Sequence, residues 1–199
     1  MIIRVFLFLA LSFSYFVSAE QISIMSYNLN NLFDAQDDVG KDDKAYLPIE
    51  FKNNDDHIMG CLQVNNSKWR NECLFLDWSE EVVQKKISNI SDLLISMGES
   101  QPDIIAIQEI ENLNVLRMLF SQIEALGYTD FALIEGEDYR GIDNAIISKY
   151  PIYGARNFKI CRSISTQRVS LAVYHTEIEL HVKRSFYFEF KIRKCCVRT

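Results

Sequence analysis

The chain has 199 residues, 48% of them hydrophobic and 24% charged, with a formal net charge of −6. This composition excludes a disordered or fibrous protein, and the length supports one domain. The negative balance argues against holding nucleic acid by a positive field, but not against meeting phosphate through a bound cation. Charge is unevenly placed: residues 34–56 are rich in Asp, and the end from Lys183 is basic, with Arg184, Lys191, Arg193, Lys194 and Arg198.

In chain order, Arg4 precedes an apolar run from Val5 to Val17, and Val17-Ser18-Ala19 has the small residues of a signal-peptidase site. Residues 1–19 are therefore expected to be a cleaved signal peptide; the alternative is an anchor that is never cut. The run is short for a bilayer span, and polar Glu20 and Gln21 follow at once. The expected location is secreted or periplasmic, with no stable membrane association after cleavage. In that setting Cys61 and Cys73, which bracket CLQVNNSKWRNEC, are candidates for a disulfide, with two unpaired thiols as the alternative. Cys161, Cys195 and Cys196 fit no zinc-ligand spacing and receive no role.

QISIMSYNL (21–29) reads as a strand buried on both faces, and the polar, acidic stretch from Asn30 to Asp77 as a long loop or insertion. Val83, Ile87, Ile90, Leu94 and Met97 then recur at helical steps, with Asp77 and Glu80 as a capping box and Gly98 as the stop. IIAIQEI (104–110) is a second apolar strand. Leu113, Leu116, Leu119, Ile123 and Leu126 form a second amphipathic helix, stopped by Gly127. Residues 131–136, 142–150, 156–161, 168–174 and 177–182 read as further strands, the last two placing His175 and His181 in a hairpin. This order predicts an α/β protein with mixed sheets flanked by helices.

Polar groups stand where the apolar strands end: Asn28 closes the first, Glu109 interrupts the second, and Arg140 and Asp143 flank a later one. Open α/β sheets bind ligands beyond the carboxyl ends of their strands. A carboxylate in an apolar strand must reach solvent or meet a cation. Glu109 is therefore a candidate metal ligand, a cap for the next helix, or the partner of a lysine.

MSYNLNNLFD (25–34), QPDIIAIQEIEN (101–112) and DYRGIDNAIISKYPI (138–152) resemble, in order and spacing, three successive signatures of the endonuclease/exonuclease/phosphatase family. The resemblance implies the front half of a four-layer α/β/β/α sandwich over residues 20–199. It also implies a metal-dependent hydrolase acting on a phosphate ester, with DNA or RNA as leading substrates and a lipid phosphodiester still open. Carried over by position, Asn28 would orient a phosphate oxygen or a metal-bound water. Glu109 would be the principal ligand of a divalent ion, Mg²⁺ first, with Mn²⁺ or Ca²⁺ as alternatives. Asn30 would be a further ligand where relatives carry an acidic residue, and Gln108 would support the ion or pack on the sheet. Arg140 and Asp143 would support the phosphate site, or Arg140 would simply pair with Asp138 or Asp143. Tyr27 and Phe33 are expected in the core and its rim.

Beyond ELHV (179–182) the family would continue with a strand bearing a catalytic His, an Asp-x-Asn element and a final Asp-His pair. Residues 183–199 instead read KRSFYFEFKIRKCCVRT, and no Asp follows Asp143. The expectation is a truncated or frameshifted product with an atypical tail, either a phosphoesterase lacking its later catalytic groups or a non-catalytic binding remnant.

Overall fold

The computed structural model describes residues 21–160, 171–182 and 186–197, with side chains over residues 21–153. The expected signal peptide and Cys161 lie outside the described residues. Strands β1 (Ile24–Leu32), β2 (Ile104–Ile110), β3 (Asp130–Ile134) and β4 (Asp143–Ser148) form one sheet in the order β1-β2-β4-β3. Strand β1 runs parallel to β2, while β4 is antiparallel to both β2 and β3. Strands β5 (Ile152–Ile160), β6 (Leu171–Val182) and β7 (Phe186–Val197) form a second, antiparallel sheet. The fold class is therefore α/β with a mixed sheet, as its order of elements predicts.

Helices α3 (Glu80–Ser96) and α4 (Leu113–Ile123) cover one face of the first sheet. The stripe Val83, Ile87, Ile90 and Leu94 packs with Val115, Leu116, Leu119 and Ile123 against Ile105, Ile107, Ala145 and Ile147. Each helix ends before a glycine in the left-handed region, Gly98 at φ 54° and Gly127 at φ 92°, where a Cβ would be strained. The cap of α3 differs from expectation. Its N-cap is Ser79, and Asp77 instead accepts the Ile49 N–H at 3.0 Å.

Three other elements depart from the sequence reading. Strand β1 is not buried on both faces: Ile24, Ser26 and Asn28 are exposed, while Leu29 and Leu32 enter the core. It stands at the margin of its sheet, pairing with β2 alone among the described strands, and the residues alternating with its core-facing ones stay exposed. The segment read as a loop contains helices α1 (Asp55–Leu62) and α2 (Ser67–Phe75), started by the side chains of Asn54 and Asn66. Their weak apolar periodicity hides them, since each buries only one residue, Cys61 and Cys73. Finally, residues 171–182 form a single strand carrying both His175 and His181, and its hairpin partner is 186–197.

The insertion is fastened by two devices. Cys61 and Cys73 form a disulfide with Cα atoms 5.6 Å apart. Lys52, 2% exposed, donates from Nζ to the carbonyls of Ala45 (2.8 Å) and Leu76 (2.7 Å), with Glu72 O at 3.5 Å. Burial pushes its ammonium down to about 8. Among the described residues no helix is long and apolar enough to cross a membrane.

Candidate active site

Strict alternation along β2 would follow Ile105 and Ile107 with Glu109 on the core face, where a carboxylate has no partner. The structure avoids this with a bulge. Gln108 opposes Asn144 and Ile110 opposes Asp143, leaving Glu109 as the extra residue at φ 60°. Ile110 takes the core position, fully buried, and the Glu109 carboxylate turns to the edge formed by the strands' carboxyl ends, beside Asn28. Strand β1 makes the matching irregularity beside it. Register shifts between Asn28 and Leu32, and Asn30 and Asn31 adopt φ 53° and 62°. Asparagine tolerates that region better than most residues; for Glu109 it carries a strain of roughly 1–3 kcal/mol.

The two irregular strand ends interlock. Asn28 Nδ2 donates to Glu109 Oε1 at 3.0 Å, and the Asn31 N–H donates to Glu109 Oε2 at 3.1 Å. Asn28 Oδ1 accepts the Asn30 N–H at 2.7 Å, fixing the amide so that Nδ2 faces the carboxylate. Asn30 thus enters through its backbone, with an exposed side chain. Gln108 packs on the sheet, bonded to Ser26 and to Ala106 O. Glu109 does not cap the following helix, because Asn112 accepts the Val115 N–H there. No ion pair to Glu109 occurs among the described residues.

Lys86, on α3, reaches the turn from below. Its Nζ donates to Asn30 O at 2.6 Å and Asn31 O at 3.0 Å, and lies 5.1 Å from the Trp78 ring centroid. Burial holds its ammonium below the usual range, while Glu109 opposes that shift. Trp78 bonds Phe33 O at 3.1 Å, and Phe33 stacks on Tyr46 at 4.0 Å, so the cation rests on a fixed aromatic group. Replacing Lys86 with Met should leave the fold intact and weaken divalent-cation affinity at Glu109 by roughly tenfold, measured by isothermal titration. An unchanged affinity would show that the turn holds itself.

Arg140 and Asp143 come to the same side by different routes. Arg140 pairs with Asp138 through Nε at 3.3 Å and Nη2 at 3.4 Å. Burial holds the Tyr46 hydroxyl above its usual range, with Arg140 opposing that shift and Glu109 adding to it. Asp143, 6% exposed, accepts the Gly136 N–H and closes the loop that carries Arg140. That loop is tied to the insertion where the Asp42 N–H donates to Tyr139 O at 2.8 Å.

Sequence reasoning missed the groups behind this edge. Glu111, 2% exposed, accepts the Asp34 N–H at 2.7 Å, and burial pushes its carboxyl up to about 9. The doublet EIEN offered a signal, since acids two positions apart share one face of a regular strand and only a break in the alternation sends them apart. Two other features lie away from the edge. A cleft of about 640 Å³ is lined by Asp37, Lys44, Leu47, Phe51, Asn54 and His57, among others, and includes neither Asn28 nor Glu109. His57 Nε2 stands 3.2 Å from Cys61 Sγ and 2.9 Å from Cys73 O, but the disulfide has spent both sulfurs.

Glu109 and Asn28 offer hard oxygen donors at an open edge, and Lys86 is spent on the Asn30 and Asn31 carbonyls with no ion pair to Glu109 among the described residues, so the residues present fit a divalent cation. The sequence model of the Endonuclease/Exonuclease/phosphatase family matches residues 70–189. An endonuclease/exonuclease/phosphatase from Beutenbergia cavernae is 15% identical, covering 54% of this chain and 32% of its own, at TM-score 0.37. A family protein from Bacteroides thetaiotaomicron is 16% identical over 87% of this chain and 50% of its own, at 0.40. ANGEL2, a 2′,3′-cyclic phosphatase solved with adenosine-2′,3′-vanadate, is 13% identical over 87% and 40%, at 0.39. The chain thus spans between a third and a half of the length of these structures. No curated protein matches it.

Proposed function

We propose, from the premise that this chain belongs to the endonuclease/exonuclease/phosphatase family, that it is a divalent-metal-dependent phosphodiesterase of the nuclease type. The observation that carries the reading is Glu109, turned out of the core by a strained bulge and held by Asn28 and the Asn31 N–H. Strain at a carboxylate persists only where the surroundings over-determine it, and such positions gather at functional sites. Glu109 would hold the cation, Mg²⁺ by family and by donor type, and Asn30 would add an exposed amide oxygen. The cation, when bound, supplies positive charge opposite the phosphate oxygens.

This chain's own groups then have distinct tasks. Asn28 orients Glu109 and presents its amide to whatever shares the edge. Arg140, on a loop pinned by Asp143, stands ready to meet a substrate oxygen once its pairing with Asp138 loosens. The apolar run from Val5 to Val17 with the small residues up to Ala19, together with the Cys61–Cys73 disulfide, supports an exported protein.

The test is hydrolysis of bis-p-nitrophenyl phosphate and of plasmid DNA by the purified chain, with Mg²⁺ and after chelation. Turnover that needs the cation and returns on its addition is the expected result. Binding of Mg²⁺ without turnover of either substrate would replace this reading with a non-catalytic module of the same fold.

A further inference from the structure

The loop after the site collects a second set of oxygens that the family reading does not use. Asp43 and Glu111 are 1% and 2% exposed, and each carboxylate is half engaged. Glu111 Oε2 accepts the Asp34 N–H at 2.7 Å, and Asp43 Oδ2 accepts the Asp38 N–H at 2.8 Å. Their other oxygens, Glu111 Oε1 and Asp43 Oδ1, are buried without a hydrogen-bond partner. Asp34, 3% exposed, accepts the amides of Asn112 and Asn114 at 3.1 and 2.9 Å. The Asn112 amide also stands 3.3 Å from Glu111 Oε2 and 3.5 Å from Asp38 Oδ2. No lysine or arginine forms an ion pair with Asp34, Asp43 or Glu111 among the described residues.

Buried acids are normally paired, bonded through both oxygens, or ligated to a metal. Here the same turn, residues 34–43, engages one oxygen of each buried acid through backbone N–H groups and leaves the other open. We propose that this turn binds a second hard cation, Ca²⁺, with Glu111 Oε1 and Asp43 Oδ1 as its protein ligands. No three of these carboxylates converge within 4.8 Å among the described residues. Ca²⁺ takes six to eight oxygens in flexible geometry, water among them, and so does not require the near-ideal octahedron that Mg²⁺ demands. Glu111 lies two residues beyond Glu109, and Asp34 three beyond Asn31. An ion here would therefore brace both strand ends that carry the candidate active site. The site would serve the fold whether or not the chain is a hydrolase.

The experiment uses the full chain carrying Glu109→Gln, so that the candidate active-site carboxylate contributes no affinity. Tb³⁺ is the first probe, because Trp78, bonded to Phe33 O beside Asp34, is placed to sensitise its emission. Ca²⁺ is the second, followed by thermal unfolding. We expect sensitised Tb³⁺ emission that Ca²⁺ displaces, and a Ca²⁺-dependent rise in Tm of about 5 °C. Adding Asp43→Asn or Glu111→Gln should abolish both signals without lowering the metal-free Tm, because each removes a buried acid. Absence of both signals in the Glu109→Gln chain overturns the proposal. So does an undiminished response in both added variants. A metal-free Tm well below that of the Glu109→Gln chain also overturns it, since the acids would then be needed by the fold's own hydrogen bonds.

Discussion

Substituting Gln for Glu109 is expected to lower kcat/KM for Mg²⁺-dependent phosphodiester hydrolysis by about 10³-fold while leaving Tm within a few degrees. Gln has the shape of Glu and can keep one contact, from Asn28 Nδ2 to Oε1. Charge is what it loses, and charge is what holds a hard cation at this open edge. The fold should tolerate the change for a specific reason. Ile110, not residue 109, fills the core position, so the bulge does not depend on the carboxylate for packing. Steady-state kinetics with Mg²⁺ titration, beside differential scanning calorimetry, measures both halves. A variant retaining a tenth or more of the activity would remove Glu109 from the centre of the chemistry.

The largest stability effect is expected at Lys52. Its ammonium is the hub where the 3₁₀ turn Lys44–Tyr46 and the end of α2 meet, through the carbonyls of Ala45 and Leu76. Lys52→Ala leaves those acceptors without a donor in a dry site and opens a cavity the length of the side chain. Together these cost about 3 kcal/mol. Lys52→Met refills the space but not the hydrogen bonds, and should recover only part of the loss. Because α1 and α2 bury one cysteine each, the disulfide should keep the insertion attached in both variants, and its reduction should then release it. Urea unfolding with limited proteolysis between residues 44 and 77 measures this. Equal stability of Lys52→Ala and the parent chain would mean that the buried ammonium adds nothing to the insertion's attachment.

Several features were legible along the chain because their causes are local. The stripe of α3 and the continuous apolar run of β2 follow from residues within one or two turns of each other. Asn28 and Glu109 were found because a polar residue closing or breaking an apolar strand is visible in nine residues of sequence. The insertion's helices were not legible, since their faces meet one another and a disulfide more than a core. Strand β1 looked buried on both faces because its residues are apolar enough, yet at the margin of the sheet Ile24, Ser26 and Asn28 stay exposed.

The sequence by itself determined the α/β class, the two helices over the sheet, and the identity of the two groups, Asn28 and Glu109, that meet at its edge. Only the tertiary structure decided how they meet. The paired bulges that turn Glu109 outward, the reach of Lys86 to Asn30 and Asn31, and the burial of Glu111 against Asp34 all join residues more than fifty positions apart. Periodicity reports which face of an element is apolar, and it carries no record of which distant backbone groups will need a partner once that face is covered. That demand arises only when the strands pair and solvent leaves, and at this edge it is met by Asn28, Asn31 and Lys86.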